Sequence, residues 1–346
     1  MQVVLQVLGG LFLLIILGIV VVVLVLRRQL RKFGQSLADM TSLTPPAELN
    51  LQPEENPPWS NGKIVRKHAD ALLLHGFQDE GSFCTQEMTN LFIQGFVHPT
   101  RNLFAAVYDH PQGGIVVDIV QKTLDGRTLT LSNTTQGEEL DSMDGKKSIR
   151  LKDATVDQLM TAWQVDKLRG DNLPAPPGSF KECFEAAYRE EMQWRIARGG
   201  QTPEEIHRIA LASGDQYSSE IEEMTFQLQR RQANSQLHEI LTEKYLKESG
   251  VSAFDWQSEQ QRLTIIHDNL TREEVEELLS VVEEDREECF QDRYDRVLSF
   301  ELPEMPARDA FAAVNATFPD HLQFKMKWQC DEPIAADYYL EPEENL

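Results

Sequence analysis

From Val3 to Leu26 the chain runs 24 residues interrupted only by Gln6 and glycines. At about 1.5 Å rise per residue this is a helix of roughly 36 Å, longer than the roughly 30 Å hydrocarbon core of a bilayer, so it can span with some tilt. A cleaved leader needs a charged start, a shorter apolar core and a small-residue cleavage site. Only Met1 and Gln2 precede this run and Arg27 follows it, so an uncleaved single-pass signal-anchor is expected. Arg27, Arg28, Arg31 and Lys32 form a basic collar directly after the span, with no charged side chain before it. The positive-inside rule then places the N-terminus outside and the C-terminal body in the cytoplasm.

Charge changes sign beyond the collar. Residues 33 to 346 keep 29 of the 33 Lys+Arg and all 56 Asp+Glu, a net charge of −27. A body of that sign repels nucleic acid and the anionic inner leaflet, so lipid is expected to meet only residues 3–26 and the collar. Cys84, Cys183, Cys289 and Cys330 are widely spaced, with no C-x-x-C pair. They fit isolated thiols of a reducing compartment, and neither a metal site nor a cofactor is expected. Asn133, Asn269 and Asn315 head N-x-[ST] triplets, which on the cytoplasmic side are chance matches.

The body divides by pattern. After residues 1–32, the anchor and collar, residues 33–59 carry Pro45, Pro46, Pro53, Pro57 and Pro58 and read as a linker. Residues 60–149 read as an α+β domain. A helix with Ile64, His68, Ala71, Leu72 and His75 at helical spacing stops at Gly76, and three strand runs follow, "NLFIQGFV", "NLFAAVYD" and "GIVVDIVQKTL". Asp125-Gly126 signals a two-residue hairpin into "RTLTLSN", which sets Val120 opposite Leu131 and Ile119 opposite Ser132. An antiparallel meander with a helix over one face is expected.

Residues 150–250 read as helices. Asp153 is the expected cap of the first, Phe180, Phe184, Ala187 and Trp194 share a face of the second, and Thr202 with Glu205 makes a capping box for the third. A polar helix follows over residues 215–248, with Ile221, Met224, Leu228, Leu237, Ile240 and Leu241. Residues 251–346 read as a second α+β unit, with a capping box at Thr271 and Glu274. In "HLQFKMKWQC" strict alternation places Leu322, Phe324, Met326, Trp328 and Cys330 on one buried face, with "VLSFEL" and "IAADYYLE" as partner strands. The expected fold class is therefore a single N-terminal transmembrane helix plus a soluble α+β body: an antiparallel meander sheet with helices, a helical middle segment and a second small α+β unit.

Catalytic motifs fail on spacing. His238-Glu239 opens like H-E-x-x-H, but Thr242 stands where the second histidine must be. Glu204-x-x-His207 has di-metal spacing and no second copy. No nucleophile elbow, P-loop or dinucleotide fingerprint occurs. Residues 272–295 hold eleven acids against three arginines, a solvated face or a surface for a basic partner. The loop "VYDHPQGG" and the adjoining strand offer the candidate ligand-binding residues, Tyr108, His110 and Asp118: a glycine pair allows close backbone approach, and Asp118 in an apolar strand needs a partner. The function expected is a membrane-anchored cytoplasmic binding or scaffolding protein. The alternative is a membrane-tethered, hydrolase-like enzyme whose site gathers dispersed histidines and carboxylates.

Overall fold

Alternating strands of this sequence pair in chain order. The larger sheet consists of β1 (Gln52–Pro53), β2 (Gln78–Cys84), β3 (Phe92–His98), β4 (Leu103–His110), β5 (Gly114–Lys122), β6 (Thr128–Ser132) and β7 (Lys146–Arg150). The computed structural model describes residues 45–110, 114–213, 218–271, 274–275, 278, 306–321, 323–330 and 334–341. Those from Ala47 onward belong to one compact unit. No helix among the described residues is long and apolar enough to cross a membrane. The expected anchor, its collar and most of the linker lie outside the described residues.

The meander holds from β1 to β6, but β7 runs parallel to β6, pairing Thr128 with Lys146 and Ser132 with Arg150. The sheet is therefore mixed. Residues 133–145 separate the two strands, and a connection of a dozen or more residues is what a parallel neighbour requires. The expected register of the β5–β6 hairpin is also corrected by one residue, since Ile119 pairs with Leu131 and Val120 with Thr130. A two-residue type I′ turn needs left-handed backbone at both Asp125 and Gly126, and of these only Gly126 (φ 86°) adopts it. The loop instead takes in Leu124, closed by Thr123 N–H donating to the Arg127 carbonyl at 2.9 Å. Because side chains alternate with a period of two, this step puts Ile119 and Leu131 together in the core rather than on opposite faces.

Both faces of the sheet are covered. Strands β3 and β4 carry apolar residues at nearly every position, so a helix on one side alone would leave half of them wet. On one face α1 (Gly62–Leu74) and α2 (Val156–Asp166) pack over Val107, Val117, Ile119, Leu129 and Leu131. On the other, α3 (Phe180–Ala197) lays Phe180 and Phe184 over Ile93, Phe104 and Ala106. Leu49 and Leu51 join that second core, and β1 pairs with β2. The segment read as the end of a linker is thus part of the fold. Two residues of strand are too few to show a period.

Local signals place the helices with small displacements. The buried face of α1 is Val65, Ala69 and Leu72, one step from the face expected, and Ile64 is exposed. The cap of α2 is Thr155, in a capping box with Gln158; Asp153 sits two residues earlier in left-handed backbone. The box at Thr202 and Glu205 opens α4 (Pro203–Ser213) as expected. Helix α5 (Ser219–Ser249) buries Ala233, Leu237, Leu241 and Tyr245, while Met224 and Leu228 are exposed.

After α6 (Ala253–Glu259), a separate three-stranded sheet has β10 (Ala336–Leu340) at its centre, flanked by β8 (Leu263–Ile266) and β9 (Lys325–Cys330). "IAADYYLE" supplies β10 as expected; "VLSFEL" lies outside the described residues, as do Leu322, Cys289 and most of the acidic run 272–295. Thr271 and Glu274 form their capping box. The single buried face expected for "HLQFKMKWQC" is corrected. A bulge matches the single step from Tyr338 to Tyr339 with two steps of β9, from Trp328 to Met326. Phe324 then enters the core of α7 (Ala307–Asn315), Trp328 enters the core of α5, and Met326 is 56 % exposed.

Candidate functional site

The sheet register brings two of the three candidate residues together. Tyr108 on β4 and Asp118 on β5 share the face under α3, where the Tyr108 and Ser132 hydroxyls donate to the Asp118 carboxylate. Asp118 Oδ1 is cut off from solvent and accepts no hydrogen bond. Burial raises the Asp118 pKa, opposed in part by the Ser132 hydrogen bond, the Arg150 charge and Tyr108. The Tyr108 hydroxyl is pushed well above its usual range by burial and by that carboxylate. The Phe184 ring stands 6.2 Å from that of Tyr108. His110 stands at the end of β4 with its pKa lowered by burial, and residues 111–113 of the candidate loop lie outside the described residues. A carboxyl and a phenol half-buried beneath a helix can hold strands in register.

Asp109, between Tyr108 and His110, faces the opposite layer. Its carboxylate accepts from Ser60 N–H at 2.5 Å and Ser60 Oγ at 2.7 Å. This fixes the entry to α1, where the Asn61 side chain caps Ile64 N–H and Trp59 packs edge-on to Phe92 at 6.0 Å. Along α1 and the adjoining end of the sheet runs an open groove of about 910 Å³. One wall is the exposed face of α1 with Lys63, Arg66, Lys67, Asp70 and Leu73. The facing wall is Asp79 and Ser82 of β2 with Gln94 of β3, and Glu55, Pro57 and Trp59 lie at one end.

The charges of the groove are unevenly committed. Asp79 is occupied internally, accepting from Gly81 N–H and Gln94 Nε2, both at 2.8 Å. Lys63, Arg66 and Lys67 make no ion pair among the described residues, whereas elsewhere Arg198 reaches Glu205 at 2.7 Å and Arg308 reaches Asp268 at 2.6 Å. Lys63 lies three and four residues before Arg66 and Lys67, a like-charge spacing that costs a few tenths of a kcal/mol per pair. They gather toward the N-terminal end of α1, where the helix dipole disfavours cations, and the first turn holds no acid. Burial and then Lys67 lower the His68 pKa, so its imidazole adds no charge at neutral pH. The described lining holds neither histidine nor cysteine. Its donors and cations can bind anionic or polar groups.

His207 pairs with Glu222 at 3.1 Å, and no metal-holding cluster occurs among the described residues. All three sequon asparagines are engaged internally: Asn133 Oδ1 accepts from Val117 N–H, Asn269 Nδ2 donates to the Ala197 carbonyl, and Asn315 Nδ2 donates to the Phe324 carbonyl. Sequence reasoning missed the groove because its walls come from segments 55–94 that fold together. The available signal was a cluster of cations on one helix of an otherwise acidic body. No protein-family model, curated protein or solved structure matches the chain.

Proposed function

We propose that this chain is a single-pass, membrane-anchored binding protein, held in the bilayer by residues 3–26 with its body on the cytoplasmic side, and that the groove along α1 receives a protein partner. The apolar run and the collar of Arg27, Arg28, Arg31 and Lys32 support the anchor and its orientation. The groove carries the binding reading: it is open along its length, with exposed, uncommitted side chains on the α1 wall. The basic partner suggested by residues 272–295 attaches to a segment outside the described residues. Nucleic acid is disfavoured by a net charge of −27 beyond the collar.

The test is site-specific photocrosslinking in native membranes with the full-length chain. A photoreactive side chain at Leu73, in the groove, should capture one discrete protein species. The same group at Leu211, an exposed position of α4, should not. Equal capture from both positions, or none from Leu73, overturns the reading.

A further inference from the structure

We infer that the segment received by this groove is an extended acidic peptide that presents carboxylates to the α1 wall, an inference that rests on the groove being the partner site. The observation is a mismatch of charge. Beyond the collar the chain carries a net charge of −27, and cations such as Arg127, Arg198 and Arg308 are paired with carboxylates. Yet Lys63, Arg66 and Lys67 stand together on one wall of the groove with no ion pair among the described residues. Of the acids that share the groove, Asp79 is taken up by Gly81 and Gln94. Glu55 and Asp70 are exposed and form no ion pair with the three cations. Carboxylates arriving along α1 would supply the missing partners and relieve the like-charge repulsion within the helix.

Shape selects a peptide over a small anion. An open groove cannot enclose most of a small ligand's surface, whereas an extended chain crossing it lies against both walls, with Trp59 and Leu73 available to its apolar side chains. A flat anionic leaflet is the poorer fit, because the acidic body around the groove opposes adsorption.

Fluorescence anisotropy of the purified full-length chain in neutral detergent tests this. The probes are a labelled peptide alternating glutamate and leucine, its lysine and leucine counterpart, inorganic phosphate as competitor, and phosphatidylserine vesicles in a sedimentation arm. The acidic peptide should bind and weaken as salt rises. The double substitution Lys63→Glu with Arg66→Glu should weaken it about tenfold or more. Lys152→Glu with Arg169→Glu, the same charge change outside the groove, should weaken it much less. Circular dichroism establishes that both variants are folded.

Preference for the basic peptide, or binding of neither, overturns the acidic inference; continued capture from Leu73 would then leave the partner-site reading standing. Competition by phosphate as effective as by peptide reduces the site to a simple anion contact and also overturns it. So does vesicle binding lost in the groove variant alone, which would assign the cations to the membrane. Loss of both peptide binding and Leu73 capture removes the two readings together.

Discussion

Gly95 lies in the middle of β3, where the space for a side chain is already filled. A Cβ there would stand 2.2 Å from Phe180 Cδ1 and 2.6 Å from Phe180 Cγ. Unstrained carbon contacts lie near 3.5 to 4.0 Å, so in Gly95→Ala the ring must withdraw by more than about 1 Å. It is stacked against Phe83 at 5.8 Å and Phe184 at 5.7 Å, so that retreat displaces both neighbours. Overpacking of this kind costs about 1–3 kcal/mol. The backbone of Gly95 is outside the left-handed region, so alanine adds no strain there and recovers about 0.4–1 kcal/mol by stiffening the unfolded chain.

The net expectation for Gly95→Ala is a loss of roughly 1 kcal/mol. Phe180→Ala alone should cost about 3–5 kcal/mol. In the double variant the new methyl occupies space the ring has left, so the two losses should fall short of additivity by at least about 1 kcal/mol. Urea unfolding of the detergent-solubilised chain, followed by tryptophan fluorescence, measures all three. A neutral Gly95→Ala or a strictly additive pair would refute the packing of α3 on this face.

Leu51→Ala should cost about 2–5 kcal/mol in the same assay, because Leu51 is buried in the core under α3; a linker residue would change stability by less than about 0.5 kcal/mol. His267 has its pKa lowered from 6.5 to about 4, chiefly by burial, so the native state keeps it neutral. Its contribution is complete above pH 6.5 and is lost as pH falls toward 4, by up to about 3 kcal/mol. His267→Gln should flatten that part of the stability profile, and a profile parallel to wild type would show that another group is responsible. Asp118 has a raised pKa, so its stability contribution is present in acid and declines as pH rises through the folded value. Asp118→Asn should therefore raise the urea midpoint at neutral pH relative to wild type, with the gap closing toward pH 4; a lower midpoint at neutral pH would mean that the ionised carboxylate is what β4 and β5 require.

Strands with strong alternation or continuous apolar runs, β3 to β5 and β10, are legible in the sequence, as are the capping boxes at Thr202 and Thr271. The polar strand "QDEGSFC" of β2 and "KKSIR" of β7 are not, because each borrows its place from a neighbour rather than from its own pattern. The face of α1 was displaced because Ile64 and Val65 are equally apolar and only the sheet decides between them. At the candidate site, an acid in an apolar strand correctly pointed to a partner for Asp118. Nothing local could reveal that α3 packs beside the pair, or that Asp109 one residue from Tyr108 would tie down the groove instead.

Helix α3 gives Phe180 at its first turn to the core of the seven-stranded sheet, and Met192 and Ile196 near its end to the core shared with the three-stranded sheet. Asn269 secures the second end by donating to the Ala197 carbonyl. A gene cut before α3 would strip one sheet of its cover, and a cut after it would carry Met192 and Ile196 bare into solvent. Neither half can be lifted out by recombination without leaving an apolar scar.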